Sequence, residues 1–297
     1  MRDIDEEAWH AYERDLRARN LSGETTENYR RTLERLSAAL PAAGLLAAST
    51  RQVQGWLAAV QADPGYSAAT LATYFRRART FYAWAERMEY LDGPSPMARL
   101  KAPREDSPEI PVPDVADLIA MVGACAGKDF RARRDMAMIR LMLETGTPRA
   151  SAVATLRRDQ VDLRRDQVTV TDKGRKERTL PFGAKTAHAL TLYLRARAAH
   201  PRAASPRMFL GKRGDMTRDG VYQVLAARCE LAGVPVISPH DLRHFTAHAW
   251  AEAGGSEGDA MALFGWSHPA MAHRYAKAAA ATRAQAHARG AALGDRL

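Results

Sequence analysis

Apolar residues recur every three to four positions along most of the chain, the period of helices that bury one face. Residues 3–40 carry the pattern twice. Trp9, Tyr12, Leu16 and Ala18 mark a first face that ends near Asn20, and Tyr29, Leu33, Leu36 and Leu40 mark a second. Between them SGETTE reads as a helix start, with Thr25 or Thr26 as the expected cap. Pro41 and Gly44 break the pattern, Val53, Trp56, Leu57 and Val60 resume it, and DPG at 63–65 is a turn. A long fourth helix is expected from Ser67 to Tyr90, its core face built from Leu71, Tyr74, Phe75, Ala78, Phe81, Tyr82 and Trp84.

Residues 92–113 hold six prolines and no periodicity, the composition of a linker. Helices are then expected at Val115–Val122, at Arg134–Leu143 and, after the turn TGTPR, at Ala150–Leu156. From Leu163 to Pro181 the period changes to the alternation of strands, with Val168, Val170, Thr179 and Leu180 around the turn DKGRKER. Helical patterns return at Ala184–Ala198, Arg218–Ala232, Pro239–Ala253, Glu257–Phe264 and Pro269–Ala276. The segment beyond Tyr275 is Ala-rich and of high helix propensity.

Charge sharpens this picture. The net charge is +10, and it is unevenly placed. Residues 1–100 hold 13 Lys/Arg and 13 Asp/Glu, whereas residues 101–297 hold 31 and 21. An Arg-dominated basic half suits a polyanion, most simply nucleic acid. Two cysteines make neither a disulfide framework nor a zinc site, no apolar run reaches the roughly 20 residues of a membrane span, and the acidic start MRDIDEEAWH has no signal-peptide core. A reducing cytoplasm is the expected compartment.

The chemistry concentrates in residues 238–275. Ser238 and Pro239 open a helix whose first turn carries His240 and Arg243; Gly265-Trp266 follows, and Tyr275 lies nine residues after the tryptophan. A guanidinium, an imidazole, an indole N–H and a phenol form a set that can hold and attack a phosphodiester. His240, His244 and His248 also stand at four-residue steps, but without the H-E-x-x-H pattern and with Arg243 among them to oppose a cation. No metal is expected there, and His244 and His248 read as packing or hydrogen-bonding residues.

Arg149, Lys173, His240, Arg243, Trp266 and Tyr275 occur in the order and spacing of the tyrosine recombinases, the phage-integrase and Xer-type family. The segment RASAVATL resembles the family's first arginine box, DKGRKERTLPF its hairpin with the lysine, HDLRHFTAH its second box and LFGWSHPAMAHRY its third. The resemblance implies a mainly α fold with a small antiparallel β-sheet. A helical SAM-like core-binding domain (residues 1–100) would be followed by the linker (101–113) and an α+β catalytic domain (114–297). It implies a site-specific recombinase that cleaves and rejoins double-stranded DNA through a 3′-phosphotyrosine, without ATP, metal or cofactor.

In that reading Arg149 and Arg243 clamp the phosphate with bidentate hydrogen bonds, and Tyr275 is the nucleophile. Lys173 is the general acid, with Arg175 and Lys176 as competitors on the same turn. His240 accepts a proton or donates to the phosphate. Trp266 stands where most members carry histidine; an indole N–H only donates, so phosphate binding or packing is its role. His268 is the competitor for that position, but the spacing to Tyr275 favours Trp266. Arg76, Arg77, Arg79, Lys101, Arg175 and Lys176 are candidate DNA contacts. The family implies a homodimer on one site, a homotetramer in the synapse, a tail beyond Tyr275 that docks on a neighbouring protomer, and a DNA-bending accessory protein. The helical pattern from residue 3 further suggests a small integrase without an added arm-binding domain, acting on the cytoplasmic nucleoid.

Two departures stand out. Ala152 occupies the position where the family carries Glu or Asp, leaving Glu144 as the candidate substitute, and the turn TGTPR is one residue longer than the common form. They support a rival reading as a catalytically inactive DNA-binding relative. A type IB topoisomerase or hairpin resolvase is a second rival, disfavoured by the short chain and Xer-like linker.

Overall fold

A computed structural model describes residues 3–41, 44–103, 111–146, 149–171, 177–212 and 214–291. The chain divides into two compact units, Met1–Pro108 and Glu109–Leu297.

The first unit holds helices α1 (Asp3–Ala18), α2 (Gly23–Ala39), α3 (Thr50–Ala62) and α4 (Ala68–Arg87). Three of these begin at a serine in extended conformation whose hydroxyl accepts a backbone N–H of the first turn: Ser22, Ser49 and Ser67. The cap of α2 is therefore Ser22, which accepts from Thr25 N at 3.2 Å; Thr25 and Thr26 already lie inside the helix. The aromatic faces meet in one core where Tyr12 packs edge-on to Trp9 and Phe81. Ala18 falls outside that core and is exposed. Asp5 is buried and accepts from Ser37 Oγ and Leu45 N, which ties α1 to α2 and to the turn before α3. Helix α4 stops at Arg87, short of Tyr90, where Glu89 turns left-handed with φ 59°.

The second unit contains α5 (Val115–Gly123), α6 (Phe130–Thr145), α7 (Ala150–Thr155), strands β1 (Val161–Asp162), β2 (Gln167–Thr171) and β3 (Glu177–Pro181), then α8 (Ala184–Arg197), α9 (Arg218–Ala232), α10 (Pro239–Glu252), α11 (Glu257–Phe264) and α12 (Pro269–Ala291). The sheet is antiparallel in the order β1-β2-β3. Val168 pairs with Leu180 and Val170 with Arg178; Val168, Val170 and Leu180 turn inward onto the core of α6 and α8. Helix α6 starts at Phe130, earlier than the apolar run predicts, because Asp129 accepts from Arg131 N and Ala132 N.

Two buried charge clusters tie this core together. Asp135 joins Arg134 and Arg228 at 2.7 Å each, while Arg134 and Arg228 also donate to Leu210 O and Ala124 O. Arg197, 2 % exposed, donates to four carbonyls of the 203–208 segment. The last three helices form their own small core, in which Ala272, Tyr275 and Ala279 of α12 pack with Ala247 and Ala251 of α10 and Ala260 and Phe264 of α11. Helix α12 runs unbroken from Pro269, so the expected short helix and the Ala-rich segment are one element. Ala272, Tyr275 and Ala279 of α12 meet its own chain, as does Arg283, which donates to Ala251 O at the end of α10.

Candidate active site

Arg243 is the residue around which the other groups assemble. It projects from the first turns of α10, which Ser238 caps by accepting from Asp241 N while the Asp241 carboxylate accepts from Ser238 N. Arg243 is 7 % exposed, and its guanidinium donates to Gly146 O at 3.1 Å and to Phe264 O at 2.7 Å. Those carbonyls belong to the ends of α6 and α11, where helices leave carbonyls without intrahelical partners. One cation thus ties two helix ends together.

A functional side chain follows each of these helix ends in sequence. Gly146 caps α6 with φ 54°, and Arg149 stands at the N-cap of α7. A Cβ on Gly146 would lie 2.5 Å from the Phe264 ring, so this close approach requires glycine. Arg149 is exposed, in extended conformation. Gly265 caps α11 with φ 65°, and Trp266 N then donates to Met261 O, the closing bond of a Schellman turn. That turn sets Trp266 against Phe264, ring centroids 4.9 Å apart, and under the Arg243 guanidinium at 5.3 Å.

Tyr275 completes the cluster from α12. Its ring stacks on Trp266, and its hydroxyl is hydrogen-bonded to His244 Nδ1. The tyrosine is 3 % exposed and His244 8 % exposed. Burial pushes the phenol above its ordinary value, opposed by Arg243 and Arg274. Burial, followed by the neighbouring His240, lowers His244 to about 4, so the imidazole is neutral near pH 7. His240 is itself lowered by burial and by Arg243, and its ring meets that of His244 edge-on at 4.1 Å.

The structure brings Arg243, Trp266 and Tyr275 together, with His240 one ring further out; Arg149 opens α7, three residues beyond the Gly146 carbonyl that Arg243 holds. The group bonded to the tyrosine is His244, one residue beyond the His-x-x-Arg pair, which sequence reasoning assigns to packing or hydrogen bonding. Its i+4 spacing from His240 was the available signal. Lys173, Arg175 and Lys176, together with Thr147 and Pro148 of the lengthened turn, lie outside the described residues. The flanking strands pair up to Thr171 and Glu177, and Arg178 donates to Leu263 O, which anchors the hairpin to α11. Glu144 accepts Gly183 N at 2.5 Å and so holds the start of α8. His268 is exposed.

In the first unit, Arg76 donates to Thr73 Oγ1 and Arg77 to Thr32 Oγ1. Arg79 lies over the Phe75 ring and donates to Leu100 O. Lys101 is exposed.

Residues 114–282 match the phage integrase family and residues 10–89 its N-terminal SAM-like domain. The chain belongs to the phage integrase family. Its relatives include the tyrosine recombinase XerC of Mycobacterium tuberculosis, 34% identical over 249 residues, which span 80% of this chain and 81% of that protein. Among solved structures, the fold resembles the XerH site-specific recombinase bound to a palindromic difH substrate (TM-score 0.73, 15% identity, 91% of this chain and 81% of that one). It also resembles a lambda integrase dimer, residues 75–356, bound to a COC′ core site (TM-score 0.70, 16% identity, 91% and 94%). These likenesses establish the family fold, mainly helical with a small antiparallel sheet. Among the described residues no helix is long and apolar enough to cross a membrane.

Proposed function

We propose that this protein is a site-specific DNA recombinase of the integrase and Xer type, which cleaves and rejoins strands through a 3′-phosphotyrosine on Tyr275. The observation that carries the assignment is the placement of the Tyr275 phenol beside Trp266 and the Arg243 guanidinium, in a chain of the phage integrase family.

The groups fit the reaction in a definite division of labour. Attack on a phosphodiester builds charge on its non-bridging oxygens, and Arg243 and Arg149 neutralise it with oriented N–H donors. Arg243 is already desolvated, which strengthens its field at the phosphate. The Trp266 indole supports the Tyr275 ring, and its N–H is a donor suited to a phosphate oxygen. His240 offers a further donor at the exposed edge. Lys173 is the general acid for the departing 5′-oxygen. Covalent storage of the phosphodiester bond on tyrosine lets the strands rejoin without ATP.

The partner is double-stranded DNA, bound by a dimer on one site and a tetramer when two sites pair. XerC is a relative named for recombination, and the lambda integrase structure is a dimer on DNA. The basic excess beyond residue 100 suits such a partner. Arg76, Arg77, Arg79, Lys101, Arg175 and Lys176 contact the backbone in this reading, residues 101–113 link the DNA-binding and catalytic domains, and the enzyme acts on the cytoplasmic nucleoid. A DNA-bending accessory protein would assist pairing.

Covalent capture tests the assignment. Wild type and Tyr275→Phe are incubated with a pool of randomised, nicked duplexes and separated under denaturing conditions. An adduct formed by wild type alone is expected, and sequencing its DNA reveals the site. DNA binding by both proteins with an adduct from neither would remove the catalytic reading and leave a binding protein.

A further inference from the structure

We infer that His244 is the proton acceptor for Tyr275, a catalytic role for the histidine that follows Arg243 rather than for His240. The inference rests on the reading of Tyr275 as nucleophile.

The geometry is specific to one pair of atoms. His244 Nδ1 and the Tyr275 hydroxyl are hydrogen-bonded, both side chains are more than nine-tenths buried, and Trp266 stacks flat on the phenol ring. A phenol keeps its proton at neutral pH, so its oxygen donates and Nδ1 accepts; the imidazole proton then resides on Nε2. The neutral state is consistent with the burial that depresses this imidazole. Because burial also raises the phenol, the nucleophile needs an acceptor in contact with it. His240 meets His244 edge-on at 4.1 Å, on the exposed side of the pair.

The charged and titratable groups around His244 are His240, Asp241 and Arg243 of α10 and Arg274 and Tyr275 of α12. A phosphodiester drawn in by Arg243 adds a negative charge to this set, which raises the basicity of the imidazole when the proton must move. The step then balances. The Tyr275 oxygen forms its bond to phosphorus as the bond from phosphorus to the 5′-oxygen breaks. The phenolic proton passes to His244 Nδ1, giving an imidazolium, and the 5′-oxygen takes a proton from the general acid. When the 5′-hydroxyl attacks in reverse, the departing phenolate recovers its proton from His244.

The test uses His244→Asn, whose side-chain oxygen can occupy the position of Nδ1 and accept the hydrogen bond without acting as a base. Substrates are the nicked site from the capture experiment and the same site with sulfur in place of the bridging 5′-oxygen, a leaving group that needs no protonation. His244→Asn is expected to form adduct about 10²- to 10³-fold more slowly on both substrates. Its rate should rise about tenfold per pH unit, because solvent must make the phenolate, while the wild-type rate levels off above the imidazole's titration. Lys173→Ala should be rescued by the sulfur substrate.

A wild-type rate and pH profile in His244→Asn would overturn the inference, as would rescue of this variant by sulfur. Nitrogen NMR of the wild-type protein provides a check that requires no fold-perturbing variant. At pH 7 His244 should be neutral with Nδ1 unprotonated and should shift in Tyr275→Phe, and a proton on Nδ1 would contradict the assignment. Absence of any adduct from wild type removes the parent reading and this inference together, whereas a wild-type adduct with an unimpaired His244→Asn removes the inference alone.

Discussion

The indole of Trp266 lies parallel to the phenol of Tyr275, with an interplanar angle of 3° and ring centroids 5.2 Å apart. Arg243 covers the same indole, so the stack passes from the cation that would bind phosphate to the ring that would attack it. Trp266→Phe retains a ring but loses the N–H. It should keep stability within about 1.5 kcal/mol, as volume-related apolar exchanges do, and slow adduct formation modestly. Trp266→Ala removes the platform and should lower both stability, by about 2–3 kcal/mol for a half-buried indole, and cleavage. Denaturant melts beside single-turnover cleavage separate support from hydrogen bonding; equal loss of cleavage in Phe and Ala would make the N–H the essential part.

Arg149 and Arg243 share a proposed chemical role but differ in burial. Arg149→Ala, at an exposed position, should change stability by no more than about 0.5 kcal/mol while reducing cleavage by about 10²- to 10³-fold. Arg243→Ala uncovers two helix-end carbonyls and should destabilise by about 2–4 kcal/mol as well as abolish cleavage. The two effects are read from urea unfolding and covalent capture on the same preparations.

Gly146→Ala should be costly although the added group is only a methyl. The positive φ disfavours alanine by about 1 kcal/mol, and the close contact with Phe264 adds about 1–3 kcal/mol of overpacking. A depressed Tm with cleavage lost at temperatures where the protein remains folded would show that this turn also aligns Arg149.

Asp135 stands between Arg134 and Arg228, away from the groups proposed for catalysis. Removing its charge with Asp135→Ala leaves the buried Arg134 and the part-buried Arg228 without their counter-ion and should destabilise by about 3–5 kcal/mol. Below its melting temperature the variant should still form adduct at near the wild-type rate.

His244 is held low in the folded protein, at about 4, and titrates near 6.5 when unfolded. Between those values the unfolded chain binds the extra proton, so stability is constant above about pH 6.5, falls as pH drops toward 4, and levels off below it. The loss is on the order of 2 kcal/mol after allowing for relaxation around the ring. His240 adds to it in the same direction. His244→Asn should flatten this part of the profile, measured as unfolding free energy at pH 7 and pH 5.

The sequence by itself determined the helical periods, the hairpin, the basic second half and the motif residues, because each depends on local spacing or on residue chemistry. Ser238 with Asp241 wrote the start of α10, and Gly265 the end of α11, in short-range hydrogen-bond terms that a linear reading can recover. Helix limits were less legible where a polar residue just outside the apolar run sets the start, as Ser22 and Asp129 do. Tertiary structure alone decided which carbonyls Arg243 holds and that Glu144 holds Gly183 at the start of α8. It also paired Tyr275 with His244 rather than His240. Those partners lie far apart in sequence, and which of two histidines a turn apart meets the phenol depends on how α12 docks on α10. That docking is set by the close packing of Ala247, Ala251, Ala272 and Ala279, small side chains whose common seam no local pattern reveals.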